Sequence, residues 1–259
     1  MTKSVQKAAV VTGGGSGIGK AIALLLARQG FAVAAAGRRR EPLLRLCREI
    51  ESGGGRALAI PADLADSGSP RLITEQTAKA LGGIDVIVNC AAAIDHKPLE
   101  QATEELFDLH MAVNARAPFL LVREALPYLR RSADACVVNI SSSSASLAIP
   151  GQSMYGCSKA ALEYLTKSLA AELAPCVRVN CVAPGPIDTP IHLVWAGDDV
   201  AGAYERMCRE LPLKRMGKAE EVASCVGWLV GESGRFVTGA VIPVDGGQVL
   251  PGALSNITL

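Results

Sequence analysis

Short aliphatic runs bounded by glycine or proline alternate along the chain with longer segments in which apolar residues recur at helical spacing. Uninterrupted apolar runs of this kind are typical of parallel strands that are buried on both faces. The alternation therefore predicts repeated βαβ units around a parallel sheet. The predicted strands are Ala8–Thr12, Phe31–Ala36, Arg56–Ile60, Ile84–Asn89, Ala135–Ile140, Val177–Val182 and Val241–Val244. The predicted helices are Gly17–Gln29, Glu41–Ser52, Pro70–Leu81, Thr103–Arg131, Ser153–Leu173 and Ala219–Gly231, with Ser69 as the N-cap of the third.

One stretch breaks this alternation. Between Asp188 and Gly217 only weakly amphipathic pieces remain, interrupted by Gly197 and Gly202, and we interpret residues 188–217 as a segment that covers the substrate. The chain has 259 residues, of which 49% are hydrophobic and 4% aromatic, and this suits one α/β unit with an aliphatic core. Residues 1–259 are accordingly predicted to be a single domain.

Charge and cysteine usage narrow the choice of partners and compartment. The formal net charge is +1, so no basic field favours nucleic acid or an anionic membrane, and no stretch is apolar over a membrane-spanning length. The eight cysteines include no C-x-x-C pair and are interpreted as reduced thiols, which indicates a cytoplasmic protein. No group of histidine, cysteine and carboxylate residues has metal-ligand spacing, so no metal is predicted.

A glycine-rich loop joins the first strand to the first helix. It reads Thr12-Gly-Gly-Gly-Ser-Gly-Ile-Gly19. Glycines permit a tight turn and close approach of a diphosphate, whose charge faces the N–H groups of the helix N-terminus. The same stretch is one hydroxyl short of a nucleoside triphosphate P-loop, and Ala21 in the hydroxyl position disfavours that interpretation. An ordinary strand-to-helix turn that binds nothing is the remaining alternative.

Tyr155 and Lys159 are four residues apart in a predicted helix, so their side chains share one face. An ammonium beside a phenol favours phenolate, and we expect Lys159 to lower the pKa of Tyr155. Ser141–Ser144 follow a predicted strand and so lie at the edge where open parallel sheets bind ligands. There a hydroxyl would hold a carbonyl oxygen while Tyr155 gives it a proton. Taken separately, a pair at this spacing is more often a solvent-facing contact, and any one serine of the run is more often part of an ordinary polar turn.

Several short motifs, taken in order, resemble the short-chain dehydrogenase/reductase family from Lys7 to about Gln248. They are Thr12-Gly-x-x-x-Gly-x-Gly19, Asn89-Cys-Ala-Ala92, Asn114, Ser142, Tyr155-x-x-x-Lys159, Pro184-Gly185 and Asp245-Gly-Gly247. The resemblance and the strand pattern imply a single-domain α/β fold, with a Rossmann-like, doubly wound, seven-stranded parallel sheet flanked by helices. One departure is Asn89-Cys90-Ala91-Ala92, where the family usually has Asn-Asn-Ala-Gly.

The resemblance assigns four catalytic roles. Tyr155 is the expected acid/base, and Lys159 is expected to lower its pKa and to bind the nicotinamide ribose. Asn114 is expected to hold the water that links Lys159 to solvent. Ser142 orients the substrate, and it is preferred over Ser141 because the family serine precedes the tyrosine by thirteen residues.

The end of the second predicted strand indicates which dinucleotide is used. Gly37 stands where an NAD-selective site has a carboxylate, whereas Arg38 and Arg39 suit a 2′-phosphate, so NADP(H) is favoured over NAD(H). A helix start in solvent is the competing interpretation of both arginines. The expected cofactor contacts are Gly13, Ser16, Gly17, Ile18, Gly19, Arg38, Arg39, Asp63, Leu64, Asn89, Ala91, Tyr155, Lys159, Pro184, Gly185, Ile187 and Thr189.

These residues together predict an NADP(H)-dependent enzyme that reduces a ketone to a secondary alcohol, or the reverse, on a small molecule. The alternatives are a 3-oxoacyl-[acyl-carrier-protein] reductase and a dinucleotide-binding protein without catalysis. The resemblance also implies a homo-oligomer, a dimer or a tetramer, paired through Thr103–Arg131 and Ser153–Leu173. The expected substrate walls are His192, Leu193, Val194, Trp195, Tyr204 and Met207 in the covering segment, with Ile94, Ile149 and Met154 near the catalytic groups.

Overall fold

Strands and helices alternate along the chain as the apolar pattern predicts. The computed structural model describes residues 6–190 and 199–250. Within these residues the strands are β1 Ala8–Thr12, β2 Ala32–Gly37, β3 Ala57–Pro61, β4 Val86–Asn89, β5 Ala135–Ile140, β6 Val177–Pro184, β7 Ile187–Asp188, β8 Gly217–Lys218 and β9 Val241–Val244. The helices are α1 Gly17–Arg28, α2 Arg40–Ser52, α3 Ser69–Leu81, α4 Glu104–Met111, α5 Ala117–Leu129, α6 Ser153–Leu173, α7 Val200–Glu210 and α8 Ala219–Val230.

Seven of the nine described strands form one sheet in the order β3-β2-β1-β4-β5-β6-β9, and every neighbouring pair is parallel. The chain moves outward from β1 to β3, returns to the centre, and then moves outward in the other direction from β4. This reversal is the doubly wound arrangement, and it leaves a crevice where β1 and β4 meet. The predicted α/β, Rossmann-like fold is confirmed.

An aliphatic core lies on each face of the sheet because the strands are apolar on both sides. Successive residues of β1 point in opposite directions, with Val10 in one core and Val11 in the other. The first core is completed by α3, α5 and α6 through Ile73, Leu121 and Leu169. The second core is completed by α1, α2 and α8 through Ile22, Leu43 and Val226. Helices on both faces hold the sheet rigidly, so the loops at its carboxyl edge have a fixed base.

The single helix predicted over Thr103–Arg131 is helical from Glu104 to Leu129, but it is divided into α4 and α5. A π-helical turn, Ala112–Arg116, separates the two. Pro118 has no N–H to give to the carbonyl of Asn114, four residues earlier, so the regular ladder cannot continue there. Such turns are frequent at functional sites, and this one contains a residue of the predicted catalytic set.

Smaller differences concern where elements begin and end. Ser69 is not the N-cap of α3. Gly68 occupies that position, and the helix begins at Ser69, which places Pro70 in the first turn where its missing N–H is not needed. Strand β6 runs two residues further than predicted and ends at Pro184, so it delivers Gly185 directly to the sheet edge.

The stretch predicted to cover the substrate begins and ends in a small sheet of its own. Ile187 and Asp188 of β7 pair in parallel with Gly217 and Lys218 of β8. Helix α7 follows β7 and precedes β8 along the chain. Asp199 caps this helix by accepting from the Gly202 N–H at 2.9 Å. His192, Leu193, Val194 and Trp195 lie outside the described residues. In the described part of the chain, no helix has both the length and the apolarity to cross a membrane.

Candidate active site

The crevice between β1 and β4 is closed at its base by one threonine. Thr12, the last residue of β1, is buried, and its Oγ1 accepts from the backbone N–H groups of Cys90 at 3.0 Å and Ala91 at 3.1 Å. These bonds hold the loop after β4 against the loop after β1. Parts of the chain that are far apart in sequence are thereby joined at the edge where such sheets bind dinucleotides.

The glycine-rich loop is compact because its glycines touch backbone. Gly13 has φ +70°, and a Cβ there would lie 2.9 Å from the Ala91 backbone N. A Cβ on Gly19 would lie 2.3 Å from the Gly13 carbonyl oxygen. Ser16 occupies the N-cap of α1 but makes no side-chain capping bond, so the N–H groups of the first turn, which includes Ile18, lack that acceptor. Three consecutive glycines that lead to an uncapped helix N-terminus fit a diphosphate.

The residues predicted at the adenosine end are exposed, with one exception. Arg38 and Arg39 follow β2 at the surface, and Arg39 Nη2 donates to Ser16 Oγ at 3.2 Å. Asp63 is also exposed, and its Oδ1 accepts from the Ala65 N–H at 3.0 Å, as a turn-capping aspartate does. Leu64 is buried beneath it. The exposed cations suit an anionic group that remains partly in water.

The stretch after β6 reaches the glycine-rich loop from the other side. A Cβ on Gly17 would lie 3.4 Å from the side chain of Thr189, and both Ile187 and Thr189 are buried. Gly185 packs on Asp245, since a Cβ on Gly185 would lie 2.7 Å from the Asp245 Cα. Pro184 is buried as the last residue of β6. The fold thus brings the predicted contacts after β1 and β6 together.

Asn89 has a partner within the sheet. Its Nδ2 donates to Asn139 Oδ1 at 2.8 Å, and Asn139 in turn donates to Thr166 Oγ1 at 2.9 Å. All three side chains are buried. Asn89 therefore ties β4 to β5, and the half-buried Ala91 that follows it contacts the glycine-rich loop.

Lys159 and Tyr155 are buried side by side in α6, with 2% and 7% of their surfaces exposed. The Lys159 ammonium donates to the carbonyl oxygen of Ile140, the last residue of β5, at 2.8 Å. Its Nζ lies 5.7 Å from the centroid of the Tyr155 ring, within range of a cation–π contact. The four-residue spacing thus places the two groups together as predicted, although the ammonium faces the ring rather than the hydroxyl.

The serine run separates into different environments. Ser141 Oγ donates to Glu163 Oε1 at 2.8 Å, away from the tyrosine. The hydroxyl of Ser142 instead lies beside Tyr155, where it acts to lower the pKa of the tyrosine. Ser142 also accepts from the Ser144 N–H at 3.2 Å and donates to Ser144 Oγ at 3.2 Å. Ser142, not Ser141, is the serine that the fold places at the tyrosine.

The expected lowering of the tyrosine pKa is wrong in direction. Burial raises the pKa of Tyr155 to about 12, and the neighbouring Ser142 hydroxyl opposes this shift. Burial also lowers the pKa of Lys159 to about 8. Both shifts have one cause, since an environment that excludes water disfavours each charged form. Tyr155 is therefore a phenol at neutral pH, suited to give a proton.

Asn114 lies in the π-helical turn and is fully buried. Its Oδ1 accepts from the Ala93 N–H at 2.8 Å, and its Nδ2 donates to the Ala93 carbonyl at 2.9 Å and to Ser158 Oγ at 2.9 Å. The side chain thus connects the loop after β4 to the helix that carries Tyr155 and Lys159. The four predicted catalytic residues lie on neighbouring elements.

The loops expected to line the substrate side contact each other. His96 Nε2 lies 2.7 Å from the Pro150 carbonyl oxygen, and the Lys97 N–H donates to the Gly151 carbonyl at 2.9 Å. These contacts join the loop that contains Ile94 to the loop that contains Ile149, both half-buried residues. Met154 is buried at the start of α6, whereas Tyr204 of α7 is exposed.

Sequence reasoning missed several buried groups beside the tyrosine. The ring of His110 lies edge-on to Tyr155, with 6.4 Å between ring centroids, and the Cys90 thiol acts to raise the Tyr155 pKa. Ser144 and Gln152 are buried there as well. The departure from the family motif at Cys90 is the signal that would have found one of them. No cluster of potential metal ligands occurs among the residues that the structure describes.

A parallel doubly wound sheet, a glycine-rich loop at its reversal point and a buried tyrosine–lysine pair define the class of dinucleotide-binding oxidoreductases. A family model described as enoyl-(acyl carrier protein) reductase matches residues 13–248. The 3-oxoacyl-[acyl-carrier-protein] reductase FabG of Thermotoga maritima is 36% identical over 245 residues, which cover 94% of this chain and 98% of the relative.

Two solved structures are similar over nearly the whole chain. A dehydrogenase/reductase from Sinorhizobium meliloti 1021 is 41% identical with a TM-score of 0.87, covering 95% of this chain and 96% of that one. A blue fluorescent protein from a metagenomic library, in complex with NADPH, is 35% identical with a TM-score of 0.87, covering 94% of this chain and 98% of that one. The chain belongs to the short-chain dehydrogenase/reductase family and is an oxidoreductase of that family.

Proposed function

We propose that this protein reduces a small-molecule ketone to a secondary alcohol, or catalyses the reverse reaction, with NADP(H) as its cofactor. The observation that carries the proposal is the buried cluster of Ser142, Tyr155 and Lys159 at the carboxyl edge of the sheet. A preorganised group of donors in a site that excludes water is what protonation of a carbonyl oxygen requires.

Tyr155 is the proton donor in this proposal. Because burial raises its pKa to about 12, the phenol keeps its proton at neutral pH and gives it only to an oxygen that is becoming an alkoxide. Ser142 donates to the same oxygen and fixes its position. In the reverse direction Tyr155 acts as a phenolate and takes the proton of the alcohol.

Lys159 and Asn114 support the tyrosine. The ammonium of Lys159 places a positive charge 5.7 Å from the Tyr155 ring, and it would also hold the ribose beside the nicotinamide. Asn114 would hold the water that links Lys159 to solvent. This role is supported by Pro118, whose missing N–H leaves the Asn114 carbonyl without a donor from that position.

The residues around the crevice fit a dinucleotide. Gly13, Ser16, Gly17, Ile18 and Gly19 would hold the diphosphate, Asp63 and Leu64 the adenine, and Asn89, Ala91, Pro184, Gly185, Ile187 and Thr189 the nicotinamide half. When bound, a nicotinamide dinucleotide supplies or accepts the hydride. NADP(H) is favoured over NAD(H) because Arg38 and Arg39 stand at the end of β2 beside Gly37, where no carboxylate is available to bind the ribose hydroxyls.

The test is turnover of a panel of ketones with NADPH by the wild type and by Tyr155→Phe. We expect the variant to lose roughly a hundredfold or more in kcat, while NADPH binding, followed by its fluorescence, changes little. Full reductase turnover by Tyr155→Phe would show that the proton comes from elsewhere. Tight dinucleotide binding by a wild type without any turnover would favour a non-catalytic binding protein.

A 3-oxoacyl thioester on an acyl carrier protein is the second candidate substrate, favoured by the similarity to FabG. An acidic carrier needs a basic docking surface, and the net charge of +1 gives this alternative no further support. Comparison of kcat/KM for a free ketone and for the carrier-bound thioester decides between the two. A strong preference for the carrier form would replace the first candidate.

We further infer that the protein is a homo-oligomer, either a dimer or a tetramer. An open, mainly apolar groove of about 930 Å³ lies between α4, α5 and α6, and its lining includes Phe119, 42% exposed, and Tyr164, 75% exposed. Large apolar side chains at a surface are typical of a subunit contact. Light scattering measures the mass directly. The single-domain organisation, the covering role of residues 188–217 and the cytoplasmic location stay predictions.

A further inference from the structure

Ser144 and Gln152 are buried polar residues without a role in the reaction as proposed. Hydrogen bonds connect them to Ser142, which has a role. Ser144 Oγ donates to Gln152 Oε1 at 2.7 Å. Ser144 also contacts Ser142 twice, because its N–H donates to Ser142 Oγ and its own Oγ accepts from Ser142. Ser142, Ser144 and Gln152 are each more than nine-tenths buried. A continuous chain of hydrogen bonds therefore runs from Gln152 to the serine beside Tyr155.

The chemistry of the amide sets the direction of this chain. An amide carbonyl oxygen only accepts, so the single hydrogen of the Ser144 hydroxyl is used for Gln152. Ser144 Oγ then presents only lone pairs to Ser142, and the hydrogen between the two hydroxyls belongs to Ser142. At 3.2 Å this bond is longer than usual for two hydroxyl groups. Ser142 thus keeps a loosely held hydrogen that it can turn toward a substrate oxygen.

The same residues set the position of the helix that carries Tyr155. Gln152 is the cap residue of α6, and its backbone carbonyl accepts from the Gly156 N–H at 2.7 Å. A Cβ on Gly156 would lie 2.8 Å from the Ser144 carbonyl oxygen, so the helix rests directly on the serine loop. The Ser144–Gln152 bond spans this contact. It therefore joins the loop that carries Ser142 to the helix that carries Tyr155.

We propose that Ser144 and Gln152 are positioning residues for the reaction, holding Ser142 as a hydrogen-bond donor at a fixed distance from Tyr155. This inference rests on the proposed function, since it assigns a role relative to Ser142 and Tyr155. Neither residue reaches the reacting atoms in this account. Both act through the orientation of Ser142.

The test uses variants at the two ends of one bond. Ser144→Ala and Gln152→Leu are each expected to lower kcat roughly tenfold, the effect of one buried hydrogen bond between neutral groups. The KM for the ketone is expected to change little, and the Kd for NADPH not at all, because the crevice around the dinucleotide is untouched. Ser146→Ala is the matched control, since Ser146 is exposed on the same loop. Its kcat should equal that of the wild type.

Gln152→Glu separates positioning from a merely structural role. A carboxyl oxygen still accepts from Ser144, so kcat for reduction is expected to return to within about threefold of the wild type. An added negative charge near Tyr155 disfavours phenolate, so alcohol oxidation is expected to begin at higher pH. Should Ser144→Ala and Gln152→Leu fail to fold, these two readouts of Gln152→Glu alone decide the outcome.

Two results would overturn the inference. One is wild-type kcat in both Ser144→Ala and Gln152→Leu, with Ser142→Ala still impaired. The other is a Gln152→Glu variant as slow as Gln152→Leu with an unchanged pH profile. Failure of the proposed function is recognised separately, because it appears as retained turnover in Tyr155→Phe whatever the behaviour of Ser144 and Gln152.

Discussion

The two ends of the crevice are built in opposite ways. At the catalytic end, Ser142, Tyr155 and Lys159 are buried, and each contacts another protein group. At the adenosine end, Arg38 and Arg39 are exposed, and Arg39 donates to Ser16 Oγ at 3.2 Å. Buried donors are fixed before the substrate arrives, whereas exposed cations are hydrated and screened. Changes at the first end should therefore alter kcat, and changes at the second end should alter cofactor affinity and choice.

The glycine-rich loop between the two ends is expected to give the largest effect. A Cβ introduced by Gly19→Ala would lie 2.3 Å from the Gly13 carbonyl oxygen. The backbone fixes the positions of both atoms, so the loop must open to separate them. We expect the Kd for NADPH to rise roughly a thousandfold, measured by NADPH fluorescence. Gly83→Ala is the control, because a Cβ there meets nothing within 4 Å. Equal NADPH affinity in the two variants would contradict the close contact.

Lys159→Met probes the buried charge at the catalytic end. The Lys159 pKa is about 8 in the folded protein and 10.5 ordinarily, so between these values the unfolded chain binds a proton that the folded chain lacks. Stability of the wild type therefore rises with pH across this window. Below about pH 8, Lys159 is protonated in both the folded and the unfolded chain. Burial of its ammonium then lowers the free energy of unfolding by on the order of 3 kcal/mol.

Replacement of Lys159 by methionine removes this cost. The free energy of unfolding of Lys159→Met relative to the wild type should therefore be highest below about pH 8 and should decline toward pH 10.5. Loss of the donor to the Ile140 carbonyl lowers the stability of the variant equally at every pH. Urea unfolding at a series of pH values measures the difference. A difference independent of pH would mean that the ammonium is not desolvated.

Arg38→Ala is expected to give the smallest effect and to act on affinity alone. We expect the Kd for NADPH to rise roughly tenfold and the Kd for NADH to stay the same. The difference in NADPH affinity between the wild type and the variant should shrink as salt is added. Arg45→Ala, at an exposed position of α2, is the matched control. Equal losses for NADPH and NADH would remove the basis for preferring NADP(H).

Much of the fold could be predicted because its signals are local and strong. The apolar runs of β1, β5 and β9 and the helical pattern of α6 have the predicted bounds. The break at Ala112–Arg116 was not predicted, because hydrophobic periodicity continues across it. Pro118 was the one local sign of it. Helix α7 was also missed, because Gly197 and Gly202, which lie before it and in its first turn, were interpreted as breaks in the helical pattern.

The candidate site was predictable in its members and less so in its electrostatics. Spacing places Tyr155 and Lys159 on one face, but it does not reveal that both are buried, and burial reverses the expected shift of the Tyr155 pKa. Four consecutive serines likewise look alike in sequence. Their roles diverge because Ser141 meets Glu163, whereas Ser144 meets Gln152. Such partners depend on tertiary packing.

In the proposed reaction, Ser142 and Tyr155 act as one unit on a single substrate oxygen. A double-mutant cycle on kcat for ketone reduction, with Ser142→Ala, Tyr155→Phe and their combination, tests it most directly. If each single variant loses roughly a hundredfold, we predict that the double variant loses at most about a thousandfold, because the second substitution removes part of an interaction that is already lost. A loss equal to the product of the two single effects would contradict the claim.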